Sequence, residues 1–329
     1  MQVAITGATG LVGSNLAIEL LNQGHTVRCT KRASSKVKHL DDFAIEWVDG
    51  DLGDAEGLKR AFDGADAVFH CAALTEVWNR PTPALIRTNV EGTRNVLEAV
   101  RACQTPRLVH CSSVVAVGLS EDGQPVDETV AWNFDKYGLD DGYAITKRDS
   151  EKLVRQAVST GLDAVIVNPT YMFGPFDAKP SSGSLIRELV RGRIPGYTTG
   201  YNNFVDVRDV CKGMIAAWLK GRQGERYILG NRNLSYHELF DMISQVAGLR
   251  TRRQRIPPPL AVLVGYVGEL NQLLSGREQR LNRMTVRYSL TDKFIFSSEK
   301  AKAELGYAPG TVEKGIEDAL KWFKEQKML

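Results

Sequence analysis

Much that would mark a specialised chain is missing from these 329 residues. No apolar run reaches the roughly 18–20 residues that a helix needs to cross a bilayer. The opening Met-Gln-Val-Ala-Ile-Thr-Gly goes straight into a strand pattern with no basic stretch ahead of it, so no signal peptide is expected. Excess charge is also scarce: 42 Lys plus Arg face 39 Asp plus Glu, a net +3. That balance excludes strongly electrostatic roles such as wrapping nucleic acid. The densest cationic run, Arg250-Thr-Arg-Arg-Gln-Arg255, has no interleaved aromatics and reads as a solvated surface, so no nucleic-acid partner is expected. The five cysteines (Cys29, Cys71, Cys103, Cys111, Cys211) are odd in number and lack metal-type spacing. Cys29, Cys71 and Cys111 sit in apolar strand-like runs, as buried reduced thiols do, which points to a cytoplasmic protein without a metal.

What is present is alternation. Short runs rich in Val and Ile, at Gln2–Thr6, Thr26–Thr30, Ala44–Val48, Ala67–Cys71, Arg107–Ser112 and Ala164–Asn168, are separated by helical patterns. The clearest of these helices are Leu11–Asn22, Ala84–Cys103 and Tyr143–Thr160. Continuous apolar strands between helices predict a parallel sheet covered on both faces, a doubly wound α/β fold. At roughly 100–200 residues per domain the length suggests two lobes. Beyond Asn168, Pro169, Gly174, Pro175, Pro180, Gly183, Pro195 and Gly196 cut the chain into short pieces, the pattern of a smaller lobe. Ser235-Tyr-His-Glu238 is a capping box that opens a further helix.

Directly after the first strand comes Thr6-Gly7-Ala-Thr9-Gly10-Leu11-Val12-Gly13. A glycine triplet alone says little, but between a strand and a helix it predicts a dinucleotide site. Gly7 permits the turn, Gly10 admits a pyrophosphate against the backbone, and Gly13 lets the helix pack close. The helix N-terminus then offers free N–H groups to the anion. The second strand ends Val27-Arg28-Cys29-Thr30-Lys31-Arg32, with no carboxylate to accept a ribose 2′-hydroxyl. Arg32 suits a 2′-phosphate instead, so NADP(H) is expected over NAD(H). Asp51 and Leu52 are candidates to bound the adenine. Ala72 and Ala73, with Cys71, carry small side chains along which a cofactor can lie.

Tyr143-Ala-Ile-Thr-Lys147 places a phenol and an ammonium one helical turn apart on one face. A nearby ammonium lowers the phenol from its usual value near ~10, which would poise Tyr143 as an acid/base. Ser112-Ser113 closes a strand at the carboxyl edge of the sheet, where such folds bind ligands. A hydroxyl there would polarise a substrate oxygen, unless Ser112 merely satisfies its own surroundings.

These segments occur in order together with Asn89-Val-Glu-Gly-Thr93, Asn168-Pro169, Gly174-Pro175, Phe204-Val-Asp-Val-Arg-Asp209 and Lys300-Ala-Lys-Ala-Glu-Leu-Gly306-Tyr. As a set they resemble the extended short-chain dehydrogenase/reductase family over nearly the whole chain. The resemblance implies an NADP-binding Rossmann lobe over 1–170, with 203–230 returning to it, and a mainly substrate-binding lobe over 171–329. It implies a catalytic Ser113, Tyr143 and Lys147. Ser113 matches by position, four residues before Val117, where the family usually has tyrosine. Pro169 would contact the nicotinamide end, Asn89 would support the sheet edge, and a small molecule is the expected partner, with a homodimer the open oligomeric option.

Two branches of that family compete. Nucleotide-sugar epimerases and dehydratases usually carry an arginine just before the Phe204 strand, where this chain has Asn202-Asn203. A second arginine usually precedes a Gly-Asp, and here the segment reads Arg287-Tyr-Ser-Leu-Thr-Asp292. These departures favour carbonyl reductases resembling dihydroflavonol reductases and 3β-hydroxysteroid dehydrogenases. An apolar pocket would draw on Trp78, Trp132, Met172, Phe173 and Leu260–Gly268. A non-catalytic NADP sensor is the third reading, and the retained Tyr143 and Lys147 argue against it.

Overall fold

The computed structural model describes residues 1–249, 253–275 and 282–329. Of the arginine-rich run at 250–255, residues 250–252 therefore lie outside the described residues. The first half of the chain forms β1 (Gln2–Thr6), α1 (Leu11–Asn22), β2 (Thr26–Lys31), β3 (Ile45–Asp49), α2 (Ala55–Phe62) and β4 (Ala67–His70). A short turn α3 (Pro83–Leu85) leads to α4 (Gly92–Ala102), β5 (Leu108–Cys111), α5 (Gly142–Ser159) and β6 (Ala164–Pro169). Then come β7 (Tyr171–Phe173), α6 (Gly183–Val190), β8 (Gly196–Tyr197), β9 (Tyr201–Asp206), α7 (Val207–Lys220), β10 (Arg226–Leu229) and β11 (Arg232–Ser235). The chain closes with α8 (Tyr236–Val246), β12 (Gln254–Arg255), α9 (Pro258–Ser275), α10 (Arg283–Leu290), α11 (Glu299–Leu305) and α12 (Val312–Glu325).

Seven strands make one parallel sheet in the order β10-β6-β5-β4-β1-β2-β3. Alternation along each strand decides which layer it feeds. Val3, Ile5, Phe69 and Val109 pack with Leu16 and Leu20 of α1 and Met214 and Trp218 of α7. Their neighbours Ala4, Val68, Leu108 and Ile166 pack on the other face with Leu58, Phe62, Val96, Val100 and Val154. Each fully buried Val, Leu or Phe contributes about 1.5–3 kcal/mol, so a one-residue slip would penalise both cores at once. The doubly wound sheet predicted from the sequence is present, with strand ends shifted by one or two residues.

The chain leaves this sheet at β7 and comes back through α7 and β10. Strands β7, β9 and β11 form a separate three-stranded sheet, and β8 pairs with β12. Phe173, Phe204, Ile243, Ile316 and Phe323 fill the core between the small sheet and α6, α8 and α12. The expected capping box is made: the Ser235 hydroxyl accepts from the Glu238 N–H, and Glu238 reaches back to the Ser235 N–H at 2.8 Å.

One helix departs from its expected form. The stretch read as continuous over Ala84–Cys103 passes through π-helical geometry at Ile86–Glu91 before α4 begins. Within it the buried Asn89 side chain bonds the backbone of Leu74, and Thr93 Oγ1 donates to the Asn89 carbonyl. Widened helical turns of this kind gather at functional sites.

Two glycines fix the β1–α1 junction by contact. Gly7 has φ +79°, and a Cβ on it would fall 2.5 Å from the Ala72 nitrogen. On Gly13 a Cβ would lie 2.3 Å from the Gly7 carbonyl oxygen. Both obstacles are backbone and cannot rotate away. Gly13→Ala is accordingly expected to cost about 1–3 kcal/mol by overpacking, read as a lower urea midpoint; an unchanged midpoint would contradict the close approach.

Candidate active site

Because the large sheet is parallel, the loops after β1 to β6 all emerge along one edge. The glycine loop follows β1, Arg32 follows β2, Asp51-Leu52 follows β3, Ala72-Ala73 follows β4, Ser112-Ser113 follows β5, and Pro169 ends β6. Tyr143 and Lys147 start α5 above the same edge. The order in which successive strands join the sheet reverses between β1 and β4, the crevice where doubly wound sheets bind ligands.

At the glycine loop, Gly10 N–H donates to the Gly7 carbonyl at 3.1 Å and Ser14 N–H to Gly10 at 2.9 Å, which opens α1. Gly10 carries no side-chain cap, and the first turn holds no acidic residue, so the positive end of a twelve-residue helix is unshielded. A Cβ on Gly10 would meet no protein atom closer than 3.5 Å. The backbone thus leaves a cradle at the point where a pyrophosphate would sit, and these residues fit a dinucleotide.

The second strand end is cationic. Lys31 pairs with Asp49 at 3.6 Å and Arg28 with Glu46 at 2.9 Å, while exposed Arg32 has no ion-pair partner among the described residues. His39, which no motif singled out, comes within 3.4 Å of the Ser14 hydroxyl. Asp51 is exposed, and its Oδ1 accepts from the Gly53 N–H at 3.1 Å. Leu52 packs against Gly92, and its carbonyl accepts from Asn95 at 2.7 Å.

The chemistry-bearing groups converge at the end of β5. Asp141 caps α5 by accepting the N–H groups of Tyr143 (2.6 Å) and Ala144 (3.2 Å). Ser113 Oγ accepts from the Val115 N–H at 3.4 Å and lies close enough to the Tyr143 phenol to act on its pKa. Burial raises the Tyr143 phenol above its ordinary value, opposed in part by Ser113. Lys147 is buried, and its ammonium donates to the Cys111 carbonyl at 2.8 Å. Burial lowers its pKa, while Cys111, Cys71 and Glu151 pull the other way. The expected lowering of Tyr143 by Lys147 is therefore not what governs the phenol in the protein alone. Desolvation wins, and Tyr143 is held in the protonated form, the form that can donate.

Ser112 and Ser113 separate cleanly. Ser112 Oγ donates to Glu151 Oε2 at 2.8 Å, so its hydroxyl is committed. Asn168 Nδ2 donates to the same oxygen and to the Ser113 carbonyl, both at 2.9 Å. Arg226 Nη1 reaches Glu151 Oε1 at 3.2 Å, and Arg155 reaches it at 3.1 Å. Glu151 stands eight residues after Tyr143 and four after Lys147, a spacing legible in the sequence whose partners were not. Asn89 adds a second clamp, donating to the Leu74 carbonyl (3.0 Å) and to Thr146 on α5 (3.1 Å) while accepting the Leu74 N–H (2.8 Å).

Burial lowers the pKa of two further histidines, His70 and His110. His70 bridges Thr6 (2.7 Å) and Thr93 (3.1 Å), and burial followed by the charge of Lys147 pushes it down to about 3. His110, 5.4 Å away between ring centres, is lowered for the same reasons and by His70 itself. Of the residues offered for an apolar pocket, Phe173 is core, and Trp132 is stacked on Phe134 with its indole N–H on the Val115 carbonyl at 2.9 Å. Trp78 is half-buried and its carbonyl takes the Gly142 N–H at 2.7 Å. Asn203 is spent on Asn231, Asn233 and Phe296, and Arg287 donates to the Gly138 carbonyl.

Comparison with known proteins finds relatives over the whole chain. The family described as "NAD dependent epimerase/dehydratase family" matches residues 3–230. A putative dihydroflavonol 4-reductase of Synechocystis sp. is 36% identical over 325 residues, covering 97% of this chain and 94% of its own. Sterol demethylase protein B of Methylococcus capsulatus is 32% identical over 332 residues and covers 100% of both chains. Among solved structures, that of gox2253 superposes with a TM-score of 0.85 at 36% identity, covering 99% of each chain.

The Asp141 cap gives a pH-dependent expectation. Burial, first, raises its carboxyl from 3.8 to about 6, against hydrogen bonds from Tyr288 and the two N–H groups. A raised folded pKa favours the folded state at low pH, and that gain is lost as pH rises through about 6. Asp141→Asn, which keeps the acceptor but cannot ionise, should therefore gain stability relative to the parent as pH rises from about 4 to about 6 and hold that gain above it. Asp141→Ala should lose about 1–2 kcal/mol by removing the cap. Denaturant titrations at both pH values measure this, and a pH-independent offset of the Asn variant would count against the buried charge.

Proposed function

This chain belongs to the NAD-dependent epimerase/dehydratase family of extended short-chain dehydrogenase/reductases, and we propose that it is an NADP(H)-dependent reductase of a ketone or aldehyde on a fairly apolar small molecule. That it is an oxidoreductase using an NAD(P) cofactor follows from the family and from its reductase relatives. The finer reading rests on one observation above all: Ser113 at the end of β5 close to the Tyr143 phenol, with the buried Lys147 ammonium fixed on the Cys111 carbonyl.

In this reading Gly7, Thr9, Gly10, Leu11, Val12 and Gly13 hold the pyrophosphate, and Arg32 holds a 2′-phosphate. Asp51 and Leu52 flank the adenine, Ala72 and Ala73 border the cofactor, Tyr143 and Lys147 hold the ribose, and Pro169 meets the nicotinamide. The bound cofactor supplies or accepts hydride. Tyr143 donates its proton to the carbonyl oxygen as that oxygen gains charge, and Ser113 Oγ hydrogen-bonds the same atom. Hydride on carbon and the phenolic proton on oxygen make the alcohol, and the phenolate regains a proton from solvent. Lys147 faces that phenolate with positive charge while the Cys111 carbonyl fixes its position. The large sheet with α7 and β10 holds the cofactor, and the remaining lobe selects the substrate.

The apolar substrate class is supported by the names of the relatives and by what the chain lacks. The Asn202-Asn203 pair is turned to internal hydrogen bonds rather than offering the cation that a sugar-linked diphosphate needs. Tyr143→Phe is expected to abolish turnover of a ketone panel while NADPH still binds; undiminished turnover would overturn the assignment. Arg32→Ala should raise the KM for NADPH roughly tenfold, the effect of losing one charge-assisted hydrogen bond, and leave that for NADH unchanged. Equal effects on both cofactors would remove Arg32 from the site.

A further inference from the structure

Two cysteines end neighbouring strands of the large sheet, and the reaction assigned to Tyr143 uses neither thiol. Strands β4 and β5 run parallel with His70 opposite His110, so Cys71 and Cys111 stand side by side one step further along. Both positions are held: the Cys71 N–H bonds Thr6 of β1 at 3.1 Å, and the Cys111 carbonyl takes the Lys147 ammonium at 2.8 Å. Alternation turns the two side chains into the same layer, the one that α1 and α7 cover. They lie close enough to act on each other's ionisation. Neighbouring strands sit about 4.7–4.9 Å apart, inside the range of about 4.4–6.8 Å that the Cα atoms of a disulfide span.

The other three cysteines differ. Cys29 is fully buried in the apolar core, and burial pushes its thiol far up. Cys211 spends its thiol on the Val12 carbonyl at 3.6 Å, and Cys103 follows α4 before β5 begins, at the opposite edge of the sheet. Of the five thiols only Cys111 is lowered from its ordinary value, by Cys71 first and also by the charge of Lys147, against the effect of burial. Cys71 is the more accessible of the pair, half-buried where Cys111 is 8% exposed, and it leads directly into Ala72-Ala73 at the crevice. A cysteine drawn toward thiolate beside a second thiol is the arrangement of a reversible oxidation site.

We propose that Cys71 and Cys111 form a reversible disulfide in response to hydrogen peroxide, and that the bond loosens the dinucleotide crevice. The Cys111 thiolate attacks one peroxide oxygen and the O–O bond breaks. The departing hydroxide recovers the Cys111 proton as water, and a sulfenic acid remains on Cys111. The Cys71 sulfur then attacks the Cys111 sulfur, and the displaced hydroxide leaves as water with the Cys71 proton. Two thiols thereby lose two electrons and two protons, and one peroxide becomes two waters. Joining the pair brings their Cβ atoms to about 3.8 Å, which draws the two strand ends together by about 1 Å. Gly7 is pressed against Cys71 and Ala72, whose backbone atoms a Cβ on Gly7 would meet at 2.5–2.8 Å. The shift therefore reaches the glycine loop on one side and the Lys147 anchor on the other. That consequence rests on a dinucleotide lying along Ala72 and Ala73, whereas the disulfide itself does not.

Peptide mass mapping of the full chain after treatment with hydrogen peroxide tests the pair. A cross-linked Cys71–Cys111 peptide is expected, formed in step with the loss of two free thiols and reversed by dithiothreitol. The oxidised chain should bind dinucleotide at least about tenfold more weakly than the reduced chain, as a displacement of about 1 Å in such a site does. Cys71→Ser should leave a sulfenic acid on Cys111, trapped by dimedone, with a urea midpoint to show that the variant is folded. Peroxide-treated Cys111→Ser should keep the affinity of its own untreated form. No cross-link in the parent, oxidation confined to Cys103, or equal affinity before and after cross-linking would overturn the proposal. So would an equal loss of affinity in treated Cys111→Ser. Affinity is read with NADPH and with NADH, so a failure of the Arg32 assignment shows as a preference for NADH and is distinct from a failure of the pair.

Discussion

One buried carboxylate holds the reactive end of this molecule together. Glu151 is 3% exposed, and a lone carboxylate at that depth would cost several kcal/mol. It is tolerable because Ser112, Asn168, Arg226 and Arg155 all donate to it. Those donors come from β5, β6, β10 and α5, so satisfying one charge fixes four elements relative to one another. Asn168, held by Glu151, in turn holds the Ser113 carbonyl and so fixes the backbone that carries the Ser113 hydroxyl. Removing one partner of so buried a pair typically costs about 3–5 kcal/mol, which makes this cluster a structural requirement as much as a catalytic one.

The same helix carries the opposite demand one turn earlier. Lys147 is taken out of water, which lowers its pKa, yet it retains a hydrogen bond to the Cys111 carbonyl and the field of Glu151. Tyr143 is driven the other way by the same burial. A protonated phenol beside a constrained cation is suited to giving a proton to oxygen. The cost is borne by the Asp141 cap and the Glu151 cluster, which bracket the two residues along α5.

The doubly wound parallel sheet was legible because its buried strands are continuous apolar runs separated by helices; the order of the strands and the layer each side chain feeds were not. The glycine loop and Tyr143/Lys147 were legible because each is a local pattern with a mechanical meaning. The Glu151 cluster was not, since Arg226 lies 75 positions away and only the fold brings it near. The π-helical stretch at Ile86–Glu91 was hidden for a related reason: its buried Asn89 contacts Leu74, 15 positions away. The apolar run at Leu260–Gly268 was visible, but a stripe facing solvent has the same periodicity as a stripe facing a pocket. Periodicity gives the face and not its direction.

The account turns on hydride passing to a carbonyl carbon in the crevice that Ser113, Tyr143 and Lys147 line. NADPH deuterated at nicotinamide C4 on the transferred face, supplied with ketosteroids, dihydroflavonols, aromatic aldehydes and UDP-sugars, tests that directly by mass spectrometry of the products. The account predicts an alcohol carrying one deuterium on the carbinol carbon, formed in step with NADPH consumed. Epimerised UDP-sugar with no net loss of NADPH, and no labelled alcohol from any ketone or aldehyde, would contradict it.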